Sequence, residues 1–325
     1  MNDRRNGGGE ASRRRSLLVV VVATAADLVV TVLKFAAAAV TGSSSMLAEG
    51  FHSVSETANQ ALLFRGYASA RQGETPRHPF GHARERYFWA LVVSFLIFGV
   101  GSVAALFESY RKLRDATPLI DPRWAYGVLT IALLLDGTSF VVARRQAHRE
   151  RRGRIVEYVR ESKNPEVSVV MLQDGAAVVG VLVAYVAITL SVVTDQPAYD
   201  AAGSATIGAL LAAVAFTLAW RMKSLLIGEA ASAEESDKIR DLIRGHPAVR
   251  ELLSLRTLYH GPDELVIEAQ VSLDPELRFR DVAEVIDEIE GRIRDEVDAA
   301  RLVAIEPAVP RTRDPDVPEW QRTSG

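Results

Sequence analysis

AEGFHSVSETANQ, residues 48–60, breaks into an otherwise apolar region with Glu49, His52, Glu56 and Asn59. The spacings are 3, 4 and 3, so on an α-helix all four side chains share one face. From Ser16 to Ile227 the chain consists mostly of long apolar runs, while from Glu229 onward it reads as charged, water-soluble sequence. A helix that crosses a bilayer needs about 20 mostly apolar residues. Six segments qualify: Leu17–Val40, Ser44–Tyr67, Tyr87–Phe107, Trp124–Ala143, Val167–Val193 and Ala201–Trp220. The polar stripe thus falls within the second and least hydrophobic of six expected transmembrane helices. The third, uncharged between Phe88 and Phe107, is the cleanest.

Composition narrows the classes. The 325 residues are 48% hydrophobic with a net charge of −3, which gives no reason to expect a nucleic-acid partner. There is no cysteine, so any metal must be held by oxygen and nitrogen. The opening MNDRRNGGGEASRRRSLLVV has the basic-then-apolar shape of a signal peptide. Its apolar run, however, continues to Val40, broken only by Asp27 and Lys34, so we expect a retained first span. No G-x-x-x-x-G-K-[ST] phosphate loop occurs.

Basic residues set the expected orientation. Arg4, Arg5, Arg13, Arg14 and Arg15 precede the first span, and Arg71, Arg77, Arg84 and Arg86 follow the second. The stretch after the fourth span is richest, from Arg144 and Arg145 to Arg160 and Lys163. On the opposite side TGSS and TDQPAYD have none and YRKLRDATPLIDPRW has four, which predicts cytoplasmic termini, or termini on the equivalent side of an organelle; a multi-pass protein of a bacterial plasma membrane is the expected setting. The expected divisions are a basic tail (1–15), a membrane domain (16–227), a small cytoplasmic domain (228–309) and a disordered tail (310–325).

In the small domain, Ile239, Leu242 and Ile243 mark a helix, and Leu253–Tyr259 and Leu265–Val271 read as strands joined by a hairpin at GPDE. Val282, Val285, Ile286, Ile289 and Ile293 mark a second helix, and Leu302–Ile305 a last strand. The expected fold class is an α-helical membrane protein of six transmembrane helices with a small α+β domain. That domain has the order αββαβ, ferredoxin-like or metallochaperone-like, with helices on one face of an open sheet. At this size a partner copy would help to hold it.

Ionisable groups in a bilayer cost at least about 2.5–3.5 kcal/mol each and face bundle interiors or wet cavities. Thr24, Asp27, Thr31 and Lys34 line one face of the first span; Asp136 lies in the fourth, Gln173 and Asp174 in the fifth. His52 and Glu56, one turn apart, form a two-pronged helix site for a divalent ion. Asp174, at similar depth in the fifth span, is the natural third ligand, and two carboxylates balance a doubly charged ion. A fourth ligand is water, Gln173 or another group. Asn59, Thr24 and Thr31 read instead as hydrogen-bonding glue between helices. Asp27 and Lys34 read as part of a charge pair with other spans, in which Asp136 neutralises Lys34, or as a proton relay that includes Glu49. His78 and His82 serve either cation access or loop anchoring with Arg84 and Arg86. His246, before Pro247, reads as a turn residue.

The stretches TGSSSMLAEGFHSVSETANQ and HPFGHARERYFWAL, with six spans and the αββαβ tail, resemble the cation diffusion facilitator family from about Arg14 to Pro307. YVRESKNPEVSVVMLQDGAAVVGVLVA and PAYDAAGSATIGALL resemble the branch that contains mitochondrial zinc-exporter-like proteins. The resemblance implies divalent-metal/proton antiport through paired (His/Asp)-x-x-x-Asp motifs on spans two and five. On this chain the first pair falls on His52 and Glu56, with Glu where Asp is usual. The second falls on Asp174 with Val170, which cannot bind metal, and Gln173 replaces an acid common in that branch. The resemblance also implies a homodimer joined through the C-terminal domain, lipid contact, and zinc, or else Mn2+, Fe2+ or Co2+, as cargo with no cofactor. Metal and proton compete for the site, and His52 is the natural switch. A metal hydrolase would need an H-E-x-x-H helix, which is absent. A sensor or scaffold that binds without transport is the other class.

Overall fold

The structure, a computed structural model, describes residues 27–150 and 163–309. The expected basic and disordered tails, Thr24 and the start of the first span lie outside the described residues, as do Arg151, Arg152, Arg154 and Arg160. The chain divides into two compact units. One holds the helices through Ala68, Phe88–Ser162 and Glu166–Met222; the other joins Ser69–Tyr87 and Lys163–Pro165 to the chain from Lys223 onward.

Among the described residues the first unit is built of helices. Helix α1 covers 27–41 and ends where Gly42 takes a φ of 67°, a left-handed conformation that costs glycine little. Helix α2 is Ser44–Ala70. Helix α3, Glu85–Leu96, runs through a π-helical segment, Ile97–Val103, into α4, Ala104–Asp115. Helices α5 (Arg123–Glu150), α6 (Pro165–Thr194) and α7 (Ala198–Ile227) complete it.

By length and composition four described stretches qualify as spans, not six: Glu85–Asp115, Arg123–Val141, Pro165–Thr194 and Ala198–Ile227. Helix α2 has the length, at 27 residues, but its polar stripe lowers its hydropathy, and α1 is described only in part. The expected ends were also short: the third span runs on to Asp115 and the sixth to Ile227.

This unit differs from a soluble core in what it exposes and in the small residues it buries beside large ones such as Ile97, Leu129 and Leu211. Large apolar side chains such as Phe95, Leu134, Val193 and Phe216 are exposed, facing outward as lipid contact requires. Ala90, Ala132, Ala184 and Ala201 are buried together with Ser44, Ser45, Ser55, Ser102 and Ser204. Small residues let helices approach closely, and their hydroxyls then cross-link the backbones. Ser204 Oγ of α7 donates to the Ala105 carbonyl of α4 (2.8 Å), and Ser109 Oγ of α4 returns a bond to the Ala201 carbonyl (2.7 Å).

In the second unit, helix α8 (Ala233–Arg244) opens with a capping box. Ser232 Oγ accepts from Glu235 N (3.2 Å), and Ser232 N donates to Glu235 Oε2 (2.9 Å). Strands β1 (Val249–Gly261) and β2 (Glu264–Leu273) pair antiparallel; helix α9 (Phe279–Glu296) leads to β3 (Ala300–Pro307), which pairs parallel to β2. The sheet order is β1-β2-β3, so β2 is central. Leu265, Ile267, Ala269 and Val271 alternate onto one face and meet Ile239 and Ile243 of α8 and Ile289 and Ile293 of α9. Each fully buried isoleucine contributes about 1.5–3 kcal/mol. The αββαβ order is as expected, although β1 begins four residues earlier than its alternation suggested, in a strand with register shifts.

Candidate metal centre

Helix α2 carries the stripe. It begins at TGSSS because Asp200 of α7 caps it: Oδ1 accepts from Ser43 Oγ (2.7 Å) and Ser45 N (3.2 Å). Oδ2 accepts from Ser44 N (2.7 Å) and Ser44 Oγ (3.1 Å), and Ser45 Oγ donates to the Asp200 carbonyl (2.7 Å). Lys112 Nζ adds a bond to the Gly42 carbonyl (2.7 Å). A helix N-terminus with its free N–H groups and positive dipole end holds such a carboxylate well. The sequence suggested no such role for Asp200, and the serine run was the one available signal.

Two turns further on lies the His52–Glu56 pair. His52 is 1% exposed, and its Nε2 stands 3.3 Å from Glu56 Oε1. The pair sits at ion-pair range, yet neither ring nitrogen makes a directed hydrogen bond among the described residues. An imidazole and a carboxylate therefore lie side by side in the bundle with ligand atoms to spare, as the i, i+4 spacing predicts.

Asp174 of α6 accepts from Ser139 Oγ of α5 (3.0 Å) and lies within electrostatic range of Glu56, Asp27 and His52. Among the described residues, no three His, Asp or Glu side chains stand together closely enough to hold one ion. The pair on α2 is therefore formed, and Asp174 is near it without closing on it. Gln173 is buried with its Nε2 unpartnered among the described residues, whereas Val170 is 40% exposed and turned outward.

The remaining polar residues sort differently from expectation. Lys34 is fully buried and donates to Glu49 Oε2 (3.0 Å) and Ser53 Oγ (2.9 Å), with Asp136 Oδ2 at 3.9 Å. Glu49, fifteen residues away, is thus its principal partner, and Asp136 the more distant one. Asp27 accepts from Gln60 Nε2 (3.0 Å), a partner the sequence did not suggest. The glue expected of two residues is absent: Thr31 donates to the Asp27 carbonyl of its own helix (2.8 Å), and both amide atoms of Asn59 lack partners among the described residues.

His78 and His82 belong to the other unit, their rings 4.6 Å apart. They sit in Ser69–Tyr87, which lies against the β1–β2 hairpin: Arg86 Nη1 bonds Asp263 Oδ2 (2.9 Å) and Phe80 meets the His260 ring. His82 and His260 line one cleft of about 540 Å³ with Arg71 and Arg301. His246 Nδ1 accepts from Ala248 N (3.2 Å), so its Nε2–H donates to Glu288 (3.1 Å), and it closes a turn.

Comparison with known proteins agrees with this layout. Residues 20–227 match the family model described as the cation efflux transmembrane domain, and 231–308 that of the cation efflux protein cytoplasmic domain. The chain is 31% identical over 237 residues to the human mitochondrial proton-coupled zinc antiporter SLC30A9, covering 72% of this chain and 42% of that relative. It is 30% identical over 240 residues to metal tolerance protein C4 of Arabidopsis thaliana, covering 73% of this chain and 52% of the relative. The aligned region is thus about half the length of these relatives or less.

Proposed function

The chain belongs to the cation efflux, or cation diffusion facilitator, family, and on that premise we propose that it carries a divalent cation across its membrane in exchange for protons, with zinc as the first candidate. It is a multi-pass membrane protein. The observation that carries the reading is the buried His52–Glu56 pair, 3.3 Å apart with ring nitrogens that make no hydrogen bond among the described residues, inside the helical bundle. Asp174 supplies the third ligand when α6 and α2 draw together. One nitrogen and two carboxylates suit Zn2+, and also Mn2+, Fe2+ or Co2+.

A ligand nitrogen must be free of its proton to bind metal, so loading and protonation exclude each other. Rocking of the helices that carry the site then exposes it to each side in turn. The relative named as a proton-coupled zinc antiporter supports this choice of ions. The reading involves no chemical turnover. The domain divisions expected from the sequence, the cytoplasmic placing of both ends and a homodimer joined through the C-terminal domain belong to the same proposal. The named relatives are mitochondrial or from a plant and give the expected bacterial plasma membrane no support, and charge asymmetry fixes sidedness, not the host membrane.

The absence of an assembled ligand trio among the described residues favours one second reading, a sensor that binds metal without moving it. Purified protein in proteoliposomes separates the two. A transporter gives pH-driven Zn2+ flux that His52→Ala and Asp174→Asn abolish while thermal stability is kept. Unchanged flux in both variants overturns the site, and binding without flux in the unaltered protein establishes the sensor.

A further inference from the structure

Glu49 is placed like a ligand and prevented from acting as one. Glu49 and His52 are i and i+3 on α2, the Glu-x-x-His spacing that puts both side chains on inward-facing metal sites of carboxylate-rich helical bundles. Cβ atoms at this spacing are about 5–6 Å apart, within reach of one ion. Yet Oε2 of Glu49 is engaged by the Lys34 ammonium at 3.0 Å, and Ser53 Oγ holds that ammonium from the other side at 2.9 Å. Lys34 and Glu49 are both fully buried.

The second oxygen, Oε1, is also buried and has no hydrogen-bond partner among the described residues. It lies against Gly180 of α6, where an added methyl group would collide with it. Gly180 sits on the same helix as Asp174. A buried carboxylate with one oxygen held and one idle is an incompletely used acceptor, which native structures seldom keep without a reason.

We propose that Lys34 sets the metal preference of the site by withholding Glu49 from the ion bound at His52 and Glu56. The ammonium acts as a resident cation that occupies the other carboxylate of the same helix face. The site therefore offers imidazole with few carboxylates, which suits zinc, instead of an oxygen-rich set, which suits manganese. Without Lys34, the uncompensated Glu49 carboxylate turns to the nearest cation, the transported one. Lys34 is a positioning residue here: it acts through Glu49 and does not touch the ion. The inference rests on the His52–Glu56 site proposed above.

The test is competitive uptake of Mn2+ and Zn2+ by the full chain in proteoliposomes. Lys34→Met raises the Mn2+:Zn2+ uptake ratio about tenfold, the lower end of what a change in a group that orients ligands does to a metal site. Lys34→Met with Glu49→Gln restores the original ratio, and Glu49→Gln alone keeps it whatever its rate. A purely structural ion pair would change rate or stability in these variants and leave the ratio alone. An unchanged ratio in Lys34→Met, or a raised ratio that persists in the double variant, overturns the proposal. Should Lys34→Met fail to fold, Lys34→Gln takes its place with the same two outcomes, and a shifted ratio in Glu49→Gln alone, which means that Glu49 already binds the ion, also overturns the proposal. His52→Ala is the control for the underlying site. Undiminished Zn2+ uptake in it removes both readings, whereas loss of uptake with no ratio change in Lys34→Met removes this one alone.

Discussion

The two ends of the buried stretch of α2 treat polar atoms in opposite ways. At Ser43–Ser45 the Asp200 carboxylate accepts four bonds, and Ser45 Oγ returns one to the Asp200 carbonyl. From Glu49 to Asn59, Glu49 Oε1, both nitrogens of His52 and both amide atoms of Asn59 are buried without hydrogen bonds among the described residues. The burial is the same and the satisfaction is not. A fully paired buried network rigidifies a fold, while an unpaired polar group in a low-dielectric interior costs free energy that only another role explains. The first end is structure; the second is the end to which our proposal assigns the ion.

Substitutions can break that contrast. The largest effect is expected at Glu56→Gln, which removes a ligand charge: Zn2+ flux falls about a hundredfold, or about 2.7 kcal/mol in transition-state terms, with the melting temperature kept. A parallel loss of melting temperature would move Glu56 to the structural side. Next, Asp200→Ala strands two hydroxyls and two backbone N–H groups. It should destabilise the helical unit by about 3 kcal/mol or more in detergent, while Zn2+ affinity, read by calorimetry, holds. Asn59→Leu should raise stability by about 1 kcal/mol, because it removes an amide that no described group pairs. A fall in melting temperature there would show that Asn59 has a partner in another conformation.

The smallest effect lies in the other unit. Burial draws the His260 imidazole below its ordinary 6.5, and the Arg84 guanidinium acts in the same direction, against weaker opposing effects of Glu264 and a backbone hydrogen bond with Phe80. The folded protein then binds fewer protons here than the unfolded chain just below pH 6.5. The contribution to stability is whole above that pH and declines as pH falls toward the lowered value. Thermal melts of the full chain between pH 7.5 and about 5 should show a slope that His260→Gln reduces. An identical slope in that variant assigns the titration elsewhere.

The sequence displayed its helices through apolar run length and its site through charges misplaced in those runs. His52 and Glu56 were legible because one helical turn fixes their relation, and αββαβ because Leu265, Ile267, Ala269 and Val271 alternate. What stayed hidden was contact between segments far apart in the chain. Lys34 with Glu49, and Ser43–Ser45 with Asp200 some 155 residues later, depend on packing that no local period records. The π-helical segment at Ile97–Val103 was invisible for another reason: in a uniformly apolar run an extra residue per turn disturbs no pattern. Val249–Leu252 lacks clean alternation, so the early start of β1 could not be seen.

The Asp200 clasp also dictates how α2 can travel. A rod fastened at one tip pivots there, and its sideways excursion grows with distance from the pin. Glu56 lies twelve residues, about 18 Å, along the axis from Ser44, so each degree of lean carries it about 0.3 Å sideways. His52, nearer the pivot, moves two-thirds as far. A swing of a few degrees therefore carries the carboxylate farther from its surroundings than the imidazole, and any leaning motion acts first on the anionic member of the pair.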